Sequence, residues 1–200
     1  MAYVDRYGVA FTDDKKILLE SPFNTFKEQD YVVPDNVEEI SNLAFFGCMS
    51  LSSVSIPEGV VKIGDDAFSG CSNLTEISIP NSVTEIGERA FQFCENLVGI
   101  TLPNGLKAIK EETFDGCSSL YLLIIPNGVV KIHKGAFCDC TSLSMVVLPD
   151  SVRKIEVGAF ENCRGLKEII VPAGEELRFR NMFWMLGVDG KDYVSLIAQR

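Results

Sequence analysis

A proline recurs every 23 residues through most of this chain, and that period restricts the folds that the chain can adopt. Self-similarity at a fixed spacing predicts a protein in which each copy is one small structural unit that stacks on its neighbours. Seven of the eight prolines form the series, at positions 34, 57, 80, 103, 126, 149 and 172.

Aligning the chain on these prolines gives six units with one consensus, P-x-x-V-x-x-I-x-x-x-A-F-x-x-C-x-x-L-x-x-V-x-I. Leu or Ile replaces Val in some copies, and Thr113 replaces Ala in one. The units, from residue 33 to residue 170, are VPDNVEEISNLAFFGCMSLSSVS, IPEGVVKIGDDAFSGCSNLTEIS, IPNSVTEIGERAFQFCENLVGIT, LPNGLKAIKEETFDGCSSLYLLI, IPNGVVKIHKGAFCDCTSLSMVV and LPDSVRKIEVGAFENCRGLKEII.

Each unit has the pattern of one turn of a solenoid. The L-x-x-V-x-I segment alternates apolar and variable residues at its end, which is typical of a half-buried strand. Pro followed by Asn, Asp, Gly or Ser then predicts a tight turn. V-x-x-I predicts a second, shorter extended piece, and A-F-x-x-C has the three-residue spacing of a short helical or 3₁₀ turn. The sequence therefore predicts parallel strands stacked at one rung per 23 residues.

The ends of such a stack need covers, because a bare terminal rung exposes core residues and strand edges. Residues 1–32 are predicted to form an N-terminal cap hairpin, residues 33–172 the six repeats, and residues 173–200 a C-terminal cap, all within one domain. In the C-terminal segment, GEELRFRNMFWMLG predicts a short helix that ends before Gly187. We expect four side chains of this helix to cover the last rung: Leu177, Met182, Phe183 and Leu186.

Six of the seven cysteines share one repeat position, which predicts an interior column with one thiol in each rung. We interpret them as buried structural thiols, because equivalent side chains in a stack point in parallel; disulfides or a metal site are the alternatives. Cys138 has mostly polar equivalents in the other units and is predicted to be an exposed, reactive thiol. If its segment is helical, Cys138 and Cys140 point to opposite sides and cannot share a zinc ion.

Composition and charge argue against several classes of function. The first hundred residues carry 6 basic and 16 acidic groups, a net charge of −10, and the second hundred carry 12 of each. Nucleic-acid binding is not expected, because phosphate neutralisation needs a basic surface. The lone histidine, His133, occupies a variable surface position and permits neither a catalytic triad nor a His-based metal site. We therefore expect no enzyme activity, no cofactor and no metal.

The sequence is uninformative about compartment. No run approaches the roughly 18 apolar residues that suggest a membrane span. The start of the chain lacks the basic and apolar regions of a signal peptide, so we expect a cytoplasmic protein, or an extracellular one if a signal peptide has been removed.

The strand residues that face away from the predicted core differ along the stack. They are small or polar in the first three units and largely apolar in the last three. A contiguous exposed apolar patch commonly marks an interaction surface, although a chain end or a second subunit that covers it would give the same pattern. The protein-binding candidates are Leu122, Ile124, Met145, Val147, Glu168 and Ile170.

The unit I-P-x-x-V-x-x-I-G-x-x-A-F-x-x-C-x-x-L-x-x-V resembles that of the BspA-like leucine-rich repeat family, over residues 33–172. The resemblance implies a curved leucine-rich-repeat solenoid, and a non-enzymatic protein-binding role through the sheet face, adhesin-like in some relatives. The alternative is a structural or self-assembling solenoid with no separate ligand. A capped binder is expected to be a monomer or a small homo-oligomer with a protein partner.

Overall fold

The computed structural model describes residues 2–22, 26–184 and 195–198 and shows a solenoid of about seven turns. Its core is one continuous apolar cluster that runs along the stack. The solenoid predicted from the period is confirmed. In chain order the elements are β1 (Tyr3–Val4), β2 (Ala10–Phe11), β3 (Ile17–Glu20), β4 (Asp30–Val32), β5 (Glu39–Ile40), β6 (Ser53–Ser55), β7 (Lys62–Ile63), β8 (Glu76–Ser78), β9 (Glu85–Ile86), β10 (Ala108–Ile109), β11 (Leu122–Ile124), β12 (Lys131–Ile132), β13 (Met145–Val147), β14 (Lys154–Ile155), β15 (Glu168–Val171), α1 (Glu176–Trp184) and β16 (Ser195–Ala198).

What we call the broad sheet consists of strands of three or four residues: β4, β6 and β8, then β11, β13, β15 and β16. Isolated parallel bridges, Ser78 to Thr101 and Gly99 to Leu122, connect the two groups through the intervening turn. All pairs are parallel, and between repeats each residue pairs with the one 23 positions later, such as Val54 with Ile77. The repeat period therefore fixes the register of the sheet.

The V-x-x-I segments build a narrow surface of two-residue strands in two groups, β5, β7 and β9, then β10, β12 and β14, which we call the narrow sheet. Within each group a strand pairs in parallel with its equivalent in the next turn. Between the narrow sheet and the broad sheet, the A-F-x-x-C segments form consecutive turns closed by i to i+3 bonds, such as Cys71 N to Phe68 O. Each segment contains two left-handed residues, for example Asp66 and Gly70 in the second unit. These positive φ values prevent the 3₁₀-type bonds from continuing as a helix.

Two columns of equivalent side chains occupy the interior. The phenylalanines at 45, 68, 91, 114, 137 and 160 stack with ring centroids 5.2 to 5.4 Å apart and planes within 12° of parallel. Beside them lie the repeat cysteines, all buried. Because every turn presents the same side chains to the next, each turn completes its core only when its neighbours are in place.

At the N-terminus, β1, β2 and β3 form an antiparallel meander whose last strand pairs in parallel with β5. β4 likewise pairs with β6, so residues outside the consensus supply a complete additional rung. Tyr31 holds the meander on the stack, because its buried hydroxyl donates a hydrogen bond of 2.7 Å to Asp5 Oδ2.

At the C-terminus, α1 covers the last rung, but only some of the predicted side chains contribute. Phe179 is fully buried and Met182 packs against the core, whereas Leu177 is 69% exposed. The prediction for Leu177 was wrong, because Arg178 and Phe179, rather than residue 177, contact the last rung. The side chain of Phe183, together with Leu186 and Gly187, lies outside the described residues.

Candidate protein-binding face

The predicted binding residues lie side by side on the outer surface of β11, β13 and β15. Alternation along each strand turns Leu123, Val146 and Ile169 into the core and their neighbours outward. Leu122 and Ile124 are 39% and 56% exposed, and the outward residues of β13 and β15, Met145, Val147, Glu168 and Ile170, are half-buried.

Strand pairing arranges these side chains in two columns. Leu122 pairs with Met145 and Met145 with Glu168 in one column, while Ile124, Val147 and Ile170 pair successively in the other. Adjacent parallel strands lie about 4.8 Å apart, so each column presents neighbouring side chains in contact range. The arrangement gives an apolar surface that contains one carboxylate, that of Glu168.

The structure extends this surface with a residue that the sequence analysis missed. β16 pairs with β15 and places Ile197 beside Ile170, with Ile197 40% exposed. Its pairing offset is 27 residues rather than 23, so the repeat alignment could not reveal it. We call Leu122, Ile124, Met145, Val147, Ile170 and Ile197 the apolar face.

Two further exposed apolar residues, Val98 and Tyr121, lie just before the strands at one edge of the apolar face. They occupy the same repeat position, and Tyr121 N donates to Val98 O at 3.1 Å. The sequence contained a signal for these two residues. The position immediately after the consensus leucine is variable and carries Ser, Thr, Val, Tyr, Ser and Lys in the six units, so it is apolar only in the third unit and aromatic only in the fourth.

The broad sheet is mostly polar in the earlier turns, although the outward Val32 of β4 is 71% exposed. Ser53, Ser55, Glu76 and Ser78 stand where the later turns have apolar side chains, and Ser53 Oγ donates to Asp30 Oδ1 at 2.5 Å. The earlier and later turns have equivalent strands and equivalent buried residues, but different outward side chains. The fold therefore does not require apolar residues at these outward positions.

The repeat cysteines have a structural task. In five of them Sγ donates to the carbonyl oxygen of a phenylalanine in the preceding turn, at 3.1 or 3.2 Å. All seven cysteines are free thiols. Burial raises the pKa of four of these thiols, Cys71, Cys94, Cys117 and Cys140, and the neighbouring Cys94 raises that of Cys117 further.

Cys138 is half-buried rather than openly exposed. Desolvation, a hydrogen bond to Asp139 and the negative charges nearby raise the pKa of its thiol to about 12. Asp115, Cys138 and Asp139 place one potential ligand atom each within 4.8 Å of one another. A cation there would have to displace the thiol proton, which the surrounding carboxylates hold firmly.

His133 lies beside a different acidic residue, Glu156, with its Nδ1 3.4 Å from the carboxylate. Lys131 and Lys154 also contact Glu156, at 2.8 and 3.1 Å, and their hydrogen bonds lower the pKa of Glu156 to about 2. This carboxylate is therefore an ion-pair centre and is poorly suited to act as a general base near neutral pH.

The sequence profile of BspA type leucine rich repeat regions matches the chain in overlapping segments, residues 16–122 and 61–184, with six copies. The chain belongs to the BspA-type leucine-rich repeat family. A search of curated proteins finds no relative.

Solved structures of bacterial leucine-rich repeat proteins are similar to this BspA-type chain. The T. pallidum protein TpLRR is 30% identical, with 96% of this chain and 97% of that one covered and a TM-score of 0.75. A leucine-rich repeat protein from Eubacterium ventriosum is also 30% identical over 83% of this chain and 44% of its own length, with a TM-score of 0.78.

The pneumococcal vaccine antigen PcpA shares the fold, with a TM-score of 0.78, 22% identity, and coverage of 100% of this chain and 48% of that one. None of the helices in the described part of this chain is long and apolar enough to cross a membrane.

Proposed function

We propose that this chain is a non-enzymatic interaction module that binds a partner protein through the apolar face. The observation that carries the proposal is the column of outward-facing apolar side chains from Ile124 through Val147 and Ile170 to Ile197, on a sheet whose outward positions are mostly small or polar in the earlier turns. Exposed apolar patches of this kind commonly mark protein contacts, and repeat solenoids present extended surfaces suited to them.

The chemistry of the face indicates the kind of partner. Aliphatic side chains and Met145 bind by burial of apolar area and adapt to more than one shape. Tyr121 at the edge offers both an aromatic ring and a hydroxyl, a residue type enriched in contact hot spots. The partner is therefore a protein with a complementary apolar surface, and adhesion to a cell surface is one setting for such binding.

The test replaces Leu122 and Met145 together with Asp. Both side chains point outward, so the fold should persist while binding is lost. The matched control replaces Ser55 and Ser78 with Asp, which adds the same charge to outward positions of earlier turns. Wild type, variant and control serve as baits in parallel captures, followed by affinity measurement with the purified partner.

A partner that binds wild type and control but not the Leu122 and Met145 variant supports the proposal. Equal capture by all three baits, with unchanged circular dichroism, would remove the apolar face from the function. Self-association is the alternative function, because the same column can pair with a copy of itself. Light scattering at several concentrations detects it as a dimer that the Asp variant converts to a monomer.

A further inference from the structure

A groove of about 530 Å³ lies between β14 and α1, away from the residues of the apolar face. Its lining contains three cationic side chains, Lys134, Arg153 and Lys154, and one carboxylate, Glu156. Val157 and Met182 supply apolar surface. The volume is in the range of roughly 300 to 1,000 Å³ that holds small-molecule ligands.

The charge of this lining contrasts with that of the molecule. Three cations and one carboxylate leave a charge of +2, in a chain with a formal net charge of −10. Glu156 is already paired, with Lys131 at 2.8 Å and Lys154 at 3.1 Å, so it does not neutralise the remaining cations.

Those remaining cations are Lys134 and Arg153. The Lys134 ammonium group forms no ion pair within the described part of the chain. Arg153 lies 3.6 Å from Asp150, a carboxylate that it shares with Arg178 at 3.1 Å, and Arg178 is also paired with Glu175. Among the described residues, an incoming anion therefore meets one ammonium group without an ion pair, on Lys134, and one guanidinium group, on Arg153, whose only ion pair is at 3.6 Å.

The apolar part of the groove is accessible. Val157 is 67% exposed, and Met182, in the last turn of α1, is half-buried against the core. The methylene stems of the lysines and of Arg153 add further apolar surface below their charged ends. Charge and apolar surface thus lie next to each other within one ligand-sized space.

We infer that this groove binds small organic anions in which a carboxylate or sulfonate group is joined to an apolar body. The anionic group contacts Lys134 and Arg153, and the apolar body lies on Val157 and Met182. The inference does not depend on the function proposed for the apolar face, which contains none of these residues.

The test uses the fluorescent dye anilinonaphthalenesulfonate and its uncharged counterpart phenylnaphthylamine, which has the same rings without the sulfonate. We expect the anionic dye to bind at least about tenfold more tightly than the neutral one. Replacing Lys134 and Arg153 together with Gln should remove that difference and leave the melting temperature nearly unchanged, since both side chains are exposed. Raising the ionic strength should have the same effect as this variant.

A control variant replaces Lys107 and Arg164 with Gln, which removes the same charge from exposed positions outside the groove. The Leu122 and Met145 variant serves as a second control, because the dye could also bind the apolar face. The inference is overturned if both dyes bind equally, if the Lys107 and Arg164 control loses as much affinity as the groove variant, or if only the apolar-face variant loses dye binding.

Discussion

The thiol of Cys138 is an example of how neighbouring side chains determine the chemistry of one residue. It is partly accessible, but Asp139 accepts its hydrogen bond at 3.4 Å, and Asp115 and Glu161 add negative charge. The reactive species of a cysteine is the thiolate, which this environment disfavours. Accessibility and reactivity therefore point in opposite directions at this position.

We predict that a maleimide labels Cys138 first among the seven cysteines, but slowly at neutral pH. Asp139→Asn should speed the labelling, because it removes a charge that opposes thiolate formation. Mass spectrometry of timed samples measures the rate, and Glu58→Gln, which neutralises an exposed carboxylate in another turn, is the control. Labelling of the native wild type at the rate of an unperturbed thiol would contradict the assigned environment.

Two glycines, Gly64 and Gly87, keep successive turns close together. A Cβ on Gly87 would lie 2.4 Å from Asp65 N and 2.5 Å from Asp65 Oδ1. That carboxylate accepts the N–H of Glu88 at 2.9 Å, and Asn42 does the same for Asp65 at 2.8 Å in the preceding pair. The short acceptor reaches the next turn only because glycine leaves space for it.

We predict that Gly87→Ala destabilises the protein by about 1 to 3 kcal/mol, the usual cost of forcing extra atoms into a packed site. Gly99→Ala is the matched control, because a Cβ there meets nothing within 4 Å. Urea denaturation of both variants measures the difference in the free energy of unfolding. An equal effect of the two substitutions would show that backbone entropy, and not the contact with Asp65, decides the outcome.

This residue pairing was present in the sequence but had not been recognised. Asn42 lies one turn before Gly64, and Asp65 lies one turn before Gly87. In the later units the glycine is replaced by Lys110, His133 and Glu156, and the short Asn or Asp one turn earlier is replaced as well. The repeat alignment correctly showed that the position is variable. It did not show the contact, because the contact joins different positions of adjacent units.

Among the elements, α1 ends the stack by replacing the hydrogen bonds of a missing turn. In earlier turns a serine hydroxyl donates to a valine carbonyl of the preceding turn, as Ser151 does to Val129 at 2.8 Å. The next equivalent of Ser151 is Gly174, which has no hydroxyl. Arg178 compensates, because its Nη1 donates to Val152 O at 2.8 Å and its Nη2 to Asp150.

We predict that Arg178→Ala destabilises the C-terminal turn by about 1 to 3 kcal/mol, the cost of leaving a largely buried acceptor unsatisfied. Arg180→Ala is the control, since Arg180 is on the same helix but is exposed. Hydrogen exchange followed by mass spectrometry should show faster exchange in residues 145–171 for the first variant only. Uniform loss of protection throughout the chain would mean that the stack unfolds as one unit.

Element prediction succeeded where the period applied and failed beyond it. The strands of the units follow from alternation and from the 23-residue spacing, and the structure has them in that register, except that the third unit ends in isolated bridges instead of a strand. On α1, Met182 packs against the core as predicted, but Leu177 was assigned wrongly and Phe179 was missed, because a single short helix offers no repeat against which to check its orientation. β16 was missed because its position depends on tertiary pairing with β15 and not on a repeated pattern.

Across the whole molecule, the same contacts repeat from turn to turn, so a change of pH affects the equivalent groups of every turn at once. The part of the apolar face on β11, β13 and β15 could be predicted, since strand alternation determines which side chains point outward. Ile197 and the groove beside α1 could not, because they depend on where β16 and α1 pack against the last turns. The cysteine column is the clearest repeated response. Its thiols are buried in every turn, so a change that favours thiolate acts on the entire stack.

We predict that the protein loses stability as the pH rises above the ordinary thiol pKa of 9.0, because burial raises the pKa of Cys48, Cys71, Cys94, Cys117 and Cys140 in the folded state. Below that pH the thiols are protonated in both states and the folded state suffers no penalty. Above it the unfolded chain releases protons that the folded chain retains, so alkaline pH favours unfolding.

Each buried thiol should lower the free energy of unfolding by about 1.4 kcal/mol per pH unit in this range. Urea denaturation under reducing conditions, at several pH values on either side of 9.0, measures the slope. Cys94→Ala removes one titrating thiol. The free energy of unfolding of this variant should therefore fall less steeply with pH, by about 1.4 kcal/mol per pH unit, even though the variant is less stable at every pH. A slope that is the same in wild type and Cys94→Ala would mean that other groups, Tyr31 first among them because its hydroxyl is also buried and raised in pKa, cause the alkaline unfolding.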